Sequence, residues 1–195
     1  MRGGAGSARE AGASPLIGVL ALQGGFEAHA RALHELGART RIVRVAAGLD
    51  GLDGLVIPGG ESTTMTLGIE REQLADPLRQ FVRSGRPTLG TCAGLIMLDR
   101  GHLGLLDVSV RRNAFGRQVS SFEADLDFDG EPLHAVFIRA PWIEQVGDEV
   151  EVLAEVDGHP VAVRQDNVLA VAFHPELTDE RRLHRWLLDS VGVAA

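Results

Sequence analysis

Pro87-Thr-Leu-Gly-Thr-Cys-Ala-Gly94 decides the fold of this chain. Thr88 to Thr91 reads as a buried strand and Ala93 to Leu98 as the start of a helix, with Cys92 at the turn between them. Gly90 and Gly94 stand two residues to either side of the cysteine, so residues 90–94 spell G-x-C-x-G, the thiol counterpart of the G-x-S-x-G nucleophile elbow. In such an elbow the glycines let strand and helix approach closely while the nucleophile takes a strained backbone. The thiol then faces a helix N-terminus, where the macrodipole and free N–H groups favour thiolate. Cys92 is the only cysteine in 195 residues, which excludes an internal disulfide and implies a reducing compartment.

A cysteine nucleophile needs a base, and the base needs a third group to fix its tautomer. Phe173-His-Pro-Glu176 closes the apolar run Val168 to Phe173 and supplies both. Residues two apart on extended backbone point the same way, so Glu176 is expected to hold one imidazole nitrogen of His174 while the other faces Cys92. Pro175 discourages helix and stiffens the pair.

Around the elbow, strand and helix signals alternate. Leu16 to Leu22 is a continuous apolar run, followed by helical spacing from Glu27 to Leu36 and a stop at Gly37. Arg39 to Val45 reads as a more polar outer strand, and Leu52 to Ile57 as a buried one ending in Pro58-Gly-Gly60. A helical region follows from Ser62 to Arg83, with a break expected near Gly68. The expected architecture is α/β: a mostly parallel, flavodoxin-like central sheet with helices on both faces and its site at the carboxyl ends of the strands. From about residue 104 short strands take over, at Leu105 to Val110, Val119 to Phe128, Ala135 to Arg139, Val150 to Val156 and Pro160 to Arg164. They read as a small antiparallel insertion before the last core strand, Val168 to Phe173. Thr178 is expected to cap a closing helix reaching Val191, with Asp179 and Glu180 in its first turn.

Composition limits the chemistry. The net charge of −8 argues against nucleic-acid or anionic-membrane partners. Residues 1–14 are rich in small residues and lack an apolar core, so they read as a disordered leader ahead of a single domain over residues 15–195. Leu16 to Leu22 is too short to span a membrane, and the chain reads as cytoplasmic. All 19 basic residues are arginine, which excludes a lysine-dependent P-loop and any lysine Schiff base within the chain. The histidines show no H-E-x-x-H pattern and one cysteine cannot build a Cys-rich zinc site, so no metal or cofactor is expected. His29, His34 and His184 read as helix-surface residues.

The elbow, the His-Pro-Glu and Pro58-Gly-Gly-Glu-Ser62 together resemble class I (triad) glutamine amidotransferases. Leu22-Gln-Gly24, Pro58-Gly-Gly-Glu-Ser-Thr-Thr-Met65, Gly90-Thr-Cys-Ala-Gly-Leu95 and Arg112-Asn-Ala-Phe-Gly-Arg-Gln118 narrow the likeness. So do Ser121-Phe-Glu-Ala124, Phe137-Ile-Arg-Ala-Pro141 and Phe173-His-Pro-Glu-Leu-Thr178. Over residues 16 to 191 the chain is similar to the glutaminase subunits of the deoxyxylulose-independent pyridoxal 5′-phosphate synthase family. The connector Leu98-Asp-Arg-Gly-His102 is shorter than that family's pattern.

The resemblance implies a reaction and a partner. Cys92 would attack the side-chain amide of L-glutamine, with His174 as acid and base and Glu176 holding it. The oxyanion hole would draw on the Gly59-Gly60 turn and on the Ala93 N–H. Gly60, Glu61, Ser62, Arg112, Ile138 and Arg139 would contact the substrate, the arginines suiting its carboxylate and Glu61 its ammonium. Ammonia would pass to a separate pyridoxal 5′-phosphate synthase subunit in a hetero-oligomer. Neighbouring readings are a glutaminase serving imidazole or purine-type synthesis, a silent regulatory subunit, and a cysteine hydrolase of other amides. The Arg-Asn-Ala-Phe-Gly-Arg-Gln and Ile-Arg-Ala-Pro segments argue against the first, and the intact Cys92, His174 and Glu176 against the second.

Overall fold

The computed structural model describes residues 14–114 and 121–192. Residues 1–13 of the expected leader, residues 115–118 of the Arg-Asn-Ala-Phe-Gly-Arg-Gln segment and the first two residues of the strand expected from Val119 lie outside them.

Four runs of apolar residues form a parallel core: β1 (Leu16–Leu20), β3 (Gly54–Ile57), β4 (Thr88–Thr91) and β11 (Val168–Val171). β3, β4 and β11 are buried at every residue, as strands covered on both faces must be. The more polar β2 (Arg39–Val43) takes the outer edge beside β1. Between the core strands run α1 (Phe26–Glu35), α2 (Ser62–Arg71), α3 (Ala75–Arg83) and α4 (Ala93–Leu98), and α5 (Arg182–Asp189) ends the described chain. Strand order in the seven-stranded sheet is β2-β1-β3-β4-β11-β10-β9, in which β9 (Glu151–Val156) and β10 (His159–Gln165) extend the far edge antiparallel. The parallel part follows the flavodoxin-like order, with β11 as fifth strand.

Neighbouring residues of β4 show that helices cover both faces. Thr91 reaches His29 of α1, whereas a Cβ on Gly90 would strike Leu98 and Gly94 of α4. Adjacent strand residues point to opposite faces, so α1 and α4 lie on opposite sides of the sheet. His29 also meets His184, which places α5 with α1.

Two small antiparallel pairs sit apart from the sheet: β5 (Val108–Arg111) with β8 (Trp142–Val146), and β6 (Ser121–Phe128) with β7 (Glu131–Ile138). The β6–β7 and β9–β10 hairpins close on Asp129-Gly130 and Asp157-Gly158, whose positive φ angles suit the right-handed twist of the strands.

Four expectations need correction. The helical region breaks at Gln73 (φ 54°), not at Gly68, which lies inside α2 with the Leu22 side chain 3.3 Å from where its Cβ would be. The last helix begins at Arg182: Thr178 instead accepts the Glu180 N–H at 3.1 Å in a local turn, and Glu180 accepts the Arg182 N–H at 2.7 Å. β9 and β10 belong to the main sheet and not to a separate insertion, because β10 pairs with β11 across a tight Asp166-Asn167 turn. His29 and His184 are fully buried, each satisfying part of the other, while His34 is exposed as expected.

Candidate active site

The four core strands end at one edge, and the loops leaving them gather every residue of the expected triad. Cys92 follows β4 at φ 49° and ψ −106°, a conformation unfavourable for a residue with a side chain. Its geometry is imposed from both sides. Cys92 N–H donates to Val171 O at 2.8 Å, and its own carbonyl accepts from Leu95 and Ile96 in the first turn of α4. A Cβ on Gly94 would lie 1.9 Å from Ile57 O, so only glycine lets α4 come this close to β3.

His174 lies three residues beyond β11, its N–H donating to Val136 O of β7 at 2.9 Å. Its Nδ1 is 2.8 Å from Glu176 Oε1. The pair forms as expected but on different backbone: Pro175–Leu177 is a turn of 3₁₀ helix, with Pro175 at its first position, where a missing N–H costs nothing. The ring and the Cys92 thiol line the same pocket, and the sulfur bears on the titration of His174. Burial lowers the His174 pKa, but the Cys92 sulfur and the Glu176 carboxylate, which accepts from Nδ1, outweigh it and raise it to about 10. For Glu176 burial raises the pKa, and the His174 hydrogen bond and the neighbouring imidazoles pull it below the usual carboxylate value. A carboxylate and an imidazolium therefore stand together behind the sulfur.

In front of Cys92 opens a pocket of about 230 Å³ lined by Gln23, Gly60, Glu61, Ser62, Cys92, Ala93, Ile96, Arg112, Asn113, Ile138, Arg139 and His174. Every residue expected to touch substrate is among them. Arg112 Nη1 donates to Ser62 Oγ at 2.9 Å and Thr63 Oγ1 at 3.3 Å. Neither Arg112 nor Arg139 has a carboxylate partner among the described residues, which leaves both charges for a ligand. Ile138 presents its carbonyl, 3.9 Å from Cys92 Sγ, and Arg139 follows in a positive-φ turn (φ 44°). Glu61 caps α2, accepting from the Thr63 and Thr64 N–H groups and the Thr64 hydroxyl. The Thr63 and Thr64 amides lower its pKa to about 2, so it is charged.

The expected oxyanion donors divide. The Gly59 N–H is taken by Thr91 Oγ1 at 3.0 Å, whereas Gly60 and Ala93 line the pocket. Their amides have no acceptor among the described residues. Gly24 (φ 95°) supports the turn from behind, where a Cβ would lie 1.7 Å from Gly59 O, and Gln23 Oε1 accepts the Glu61 N–H. Gln23, Thr91 and Asn113 are the polar residues of this site that the sequence left without a role. For Gln23 the signal was present: it precedes two glycines directly after a buried strand, where backbone and ligand meet. Among the described residues no cluster of His, Cys, Asp or Glu could hold a metal, and no helix is long and apolar enough to cross a membrane.

Comparison with known proteins agrees with this geometry. The chain is 56% identical over 189 residues to the pyridoxal 5′-phosphate synthase subunit PdxT of Mycobacteroides abscessus, covering 91% of this chain and 98% of that one. It is 55% identical over 189 residues to the protein of the same name in Frankia alni, covering 91% and 95%. A crystal structure of a glutamine amidotransferase superposes with a TM-score of 0.85 at 47% identity, over 90% of this chain and 98% of that one. PurLQS from Thermotoga maritima shares the fold alone, with a TM-score of 0.75 at 18% identity over 91% and 99%. Residues 19–192 match a single family along almost the whole chain, and the protein belongs to the SNO glutamine amidotransferase family.

Proposed function

We propose that the protein hydrolyses L-glutamine to glutamate and ammonia through a thioester on Cys92, and delivers the ammonia to a separate synthase subunit that makes pyridoxal 5′-phosphate. The observation that carries this reading is a strained cysteine backed by a His–Glu pair and facing a pocket with two arginines that have no carboxylate partner among the described residues.

The geometry supports a sequence of steps. Arg112 and Arg139 hold the substrate carboxylate, and Glu61, ionised and fixed at its helix cap, meets the ammonium. Cys92 thiolate attacks the amide carbon, and the resulting oxyanion is held by the Gly60 and Ala93 N–H groups. His174, protonated and steadied by Glu176, gives its proton to the departing nitrogen, and ammonia leaves with formation of the thioester. A water then attacks the thioester carbon while His174 takes its proton; the C–S bond breaks, releasing glutamate and restoring the thiolate.

The partner is proposed from the relatives' names: two proteins more than 50% identical along most of their length are subunits of pyridoxal 5′-phosphate synthase. The absence of lysine fits a division of labour in which imine chemistry sits on the other subunit. A reducing cytoplasm, which keeps the single thiol free, is the compartment this chemistry needs. The test is glutamate release from glutamine with and without a pyridoxal 5′-phosphate synthase subunit. Release is expected to rise sharply with the subunit and to vanish in Cys92→Ala. Equal release with and without it would keep the glutaminase and remove the proposed partner.

A further inference from the structure

Behind the triad lies a second titratable cluster that the steps above do not use. His29 of α1 and His184 of α5 are both 0% exposed. His29 Nδ1 is 2.9 Å from His184 Nε2. At its other edge, His29 Nε2 is 3.1 Å from Thr91 Oγ1 and 3.3 Å from Glu176 Oε2. Glu176 Oε2 is buried and makes no aligned hydrogen bond among the described residues, so its contact with His29 is charge against dipole. Thr91 Oγ1 also accepts the Gly59 N–H.

Electrostatics selects the tautomer. A lone pair on His29 Nε2 would face the carboxylate, whereas an N–H there is attracted to it. With the proton on Nε2, Nδ1 accepts from His184 Nε2–H. His184 Nδ1, which has no partner among the described residues, then carries only a lone pair and leaves no N–H unsatisfied. Burial lowers the His29 pKa against the raising effect of the Glu176 charge, and keeps the ring neutral. The titratable groups facing the cluster are Glu176 and His174 on the catalytic side and Glu180 and Arg181 beyond His184.

We propose, resting on the glutaminase reading, that His29 is a positioning residue for the triad. Its Nε2–H donates to Thr91 Oγ1 and turns its positive end toward Glu176 Oε2, 3.3 Å away. It thereby ties the carboxylate that orients His174 to the end of the strand that delivers Cys92 and, through Thr91, to the Gly59 turn. His184 fixes the tautomer from behind. Without the Nε2 donor the buried carboxylate loses its outer hold, supports the His174 imidazolium less, and lets the thiolate–imidazolium pair decay.

Three substitutions separate this role from simple packing. His29→Gln extends an amide N–H to the place of Nε2; His29→Asn reaches only the place of Nδ1 and keeps the His184 contact; His29→Leu keeps bulk alone. Two readouts are made on the full chain with a synthase subunit: kcat and KM for glutamate release, and the rate of Cys92 alkylation by iodoacetamide at neutral pH. His29→Leu and His29→Asn are expected to lower kcat and slow alkylation about tenfold, the effect of losing a hydrogen bond worth about 1.4 kcal/mol, with KM little changed. His29→Gln is expected to recover most of both. In a Glu176→Gln background His29→Leu should add nothing, because its effect runs through that carboxylate. Thermal melts confirm folding, and should the leucine variant not fold, the Asn and Gln pair decides. Equal rates in Asn and Gln, or full additivity with Glu176→Gln, would overturn the proposal. A wild-type protein that releases no glutamate even with the subunit defeats the glutaminase reading, while the alkylation series still decides the role of His29.

Discussion

Cys92 holds φ 49° because its neighbours leave it no alternative: β4 and β11 fix its N–H, and α4 begins on its carbonyl. That strain places the thiol in the pocket it shares with His174, and the site tolerates little change near it. A Cβ at Gly59 would lie 2.6 Å from His174 Cε1 and 3.2 Å from Cys92 Cβ. Gly59→Ala is therefore expected to lower kcat roughly 100-fold, as misplacement of a reacting group by about 1 Å does, and steady-state kinetics on the folded variant checks it. Arg112→Ala removes a charge without a carboxylate partner among the described residues, and should raise KM for glutamine far more than it lowers kcat. An unchanged KM would take Arg112 out of substrate binding. His174→Ala is expected to be as severe as Cys92→Ala, and Glu176→Gln milder. At this scale the triad was legible because glycine spacing and a His-Pro-Glu betray backbone geometry. His29 and His184 were read as surface residues because a polar side chain on a helix usually is one. A signal was present nonetheless, since Leu33 stands four residues after His29 and Leu187 three after His184, on the same helical faces.

At the scale of elements, the site depends on how closely α4 rides over β3. Gly94→Ala would drive a methyl group to 1.9 Å from Ile57 O, and the backbone must give. We expect a loss of about 1–3 kcal/mol, typical of overpacking in a core, read as a lower midpoint of urea denaturation with an unchanged slope. A midpoint equal to wild type would show that helix and strand have slack. The core strands were readable because continuous apolar runs mark strands buried on both faces, and the Asp-Gly hairpins because their turns need positive φ. The break between α2 and α3 was misplaced, since Gly68 is needed for close approach to Leu22 and Gln73 takes the positive φ instead. Thr178 was misread as a cap because the same hydroxyl serves equally well in a local turn. β8 went unread: Pro141 precedes it, and its pairing with β5 joins segments far apart in sequence.

For the whole molecule, one buried and one half-buried histidine set opposite limits on stability. His184 is kept neutral by burial, and its pKa falls from 6.5 to about 3. The unfolded chain then binds the extra proton, so stability falls as the pH drops from 6.5 toward about 3. His174 is the reverse case, raised from 6.5 to about 10. Its contribution is complete below 6.5 and is lost as the pH rises through about 10. A plot of urea midpoint against pH should fall on both sides, with the acid arm flattened in His184→Phe and the alkaline arm in Cys92→Ala. Arms that are identical in wild type and variants would contradict the assignment of these groups. The most direct test of the central claim is to trap the intermediate. The protein is mixed with isotopically labelled glutamine and the synthase subunit, quenched in acid within a turnover, and its peptides are weighed by mass spectrometry. A labelled glutamyl group on the peptide containing Cys92, absent in Cys92→Ala, is the predicted result. Glutamate released at the full rate while Cys92 stays unlabelled would contradict it.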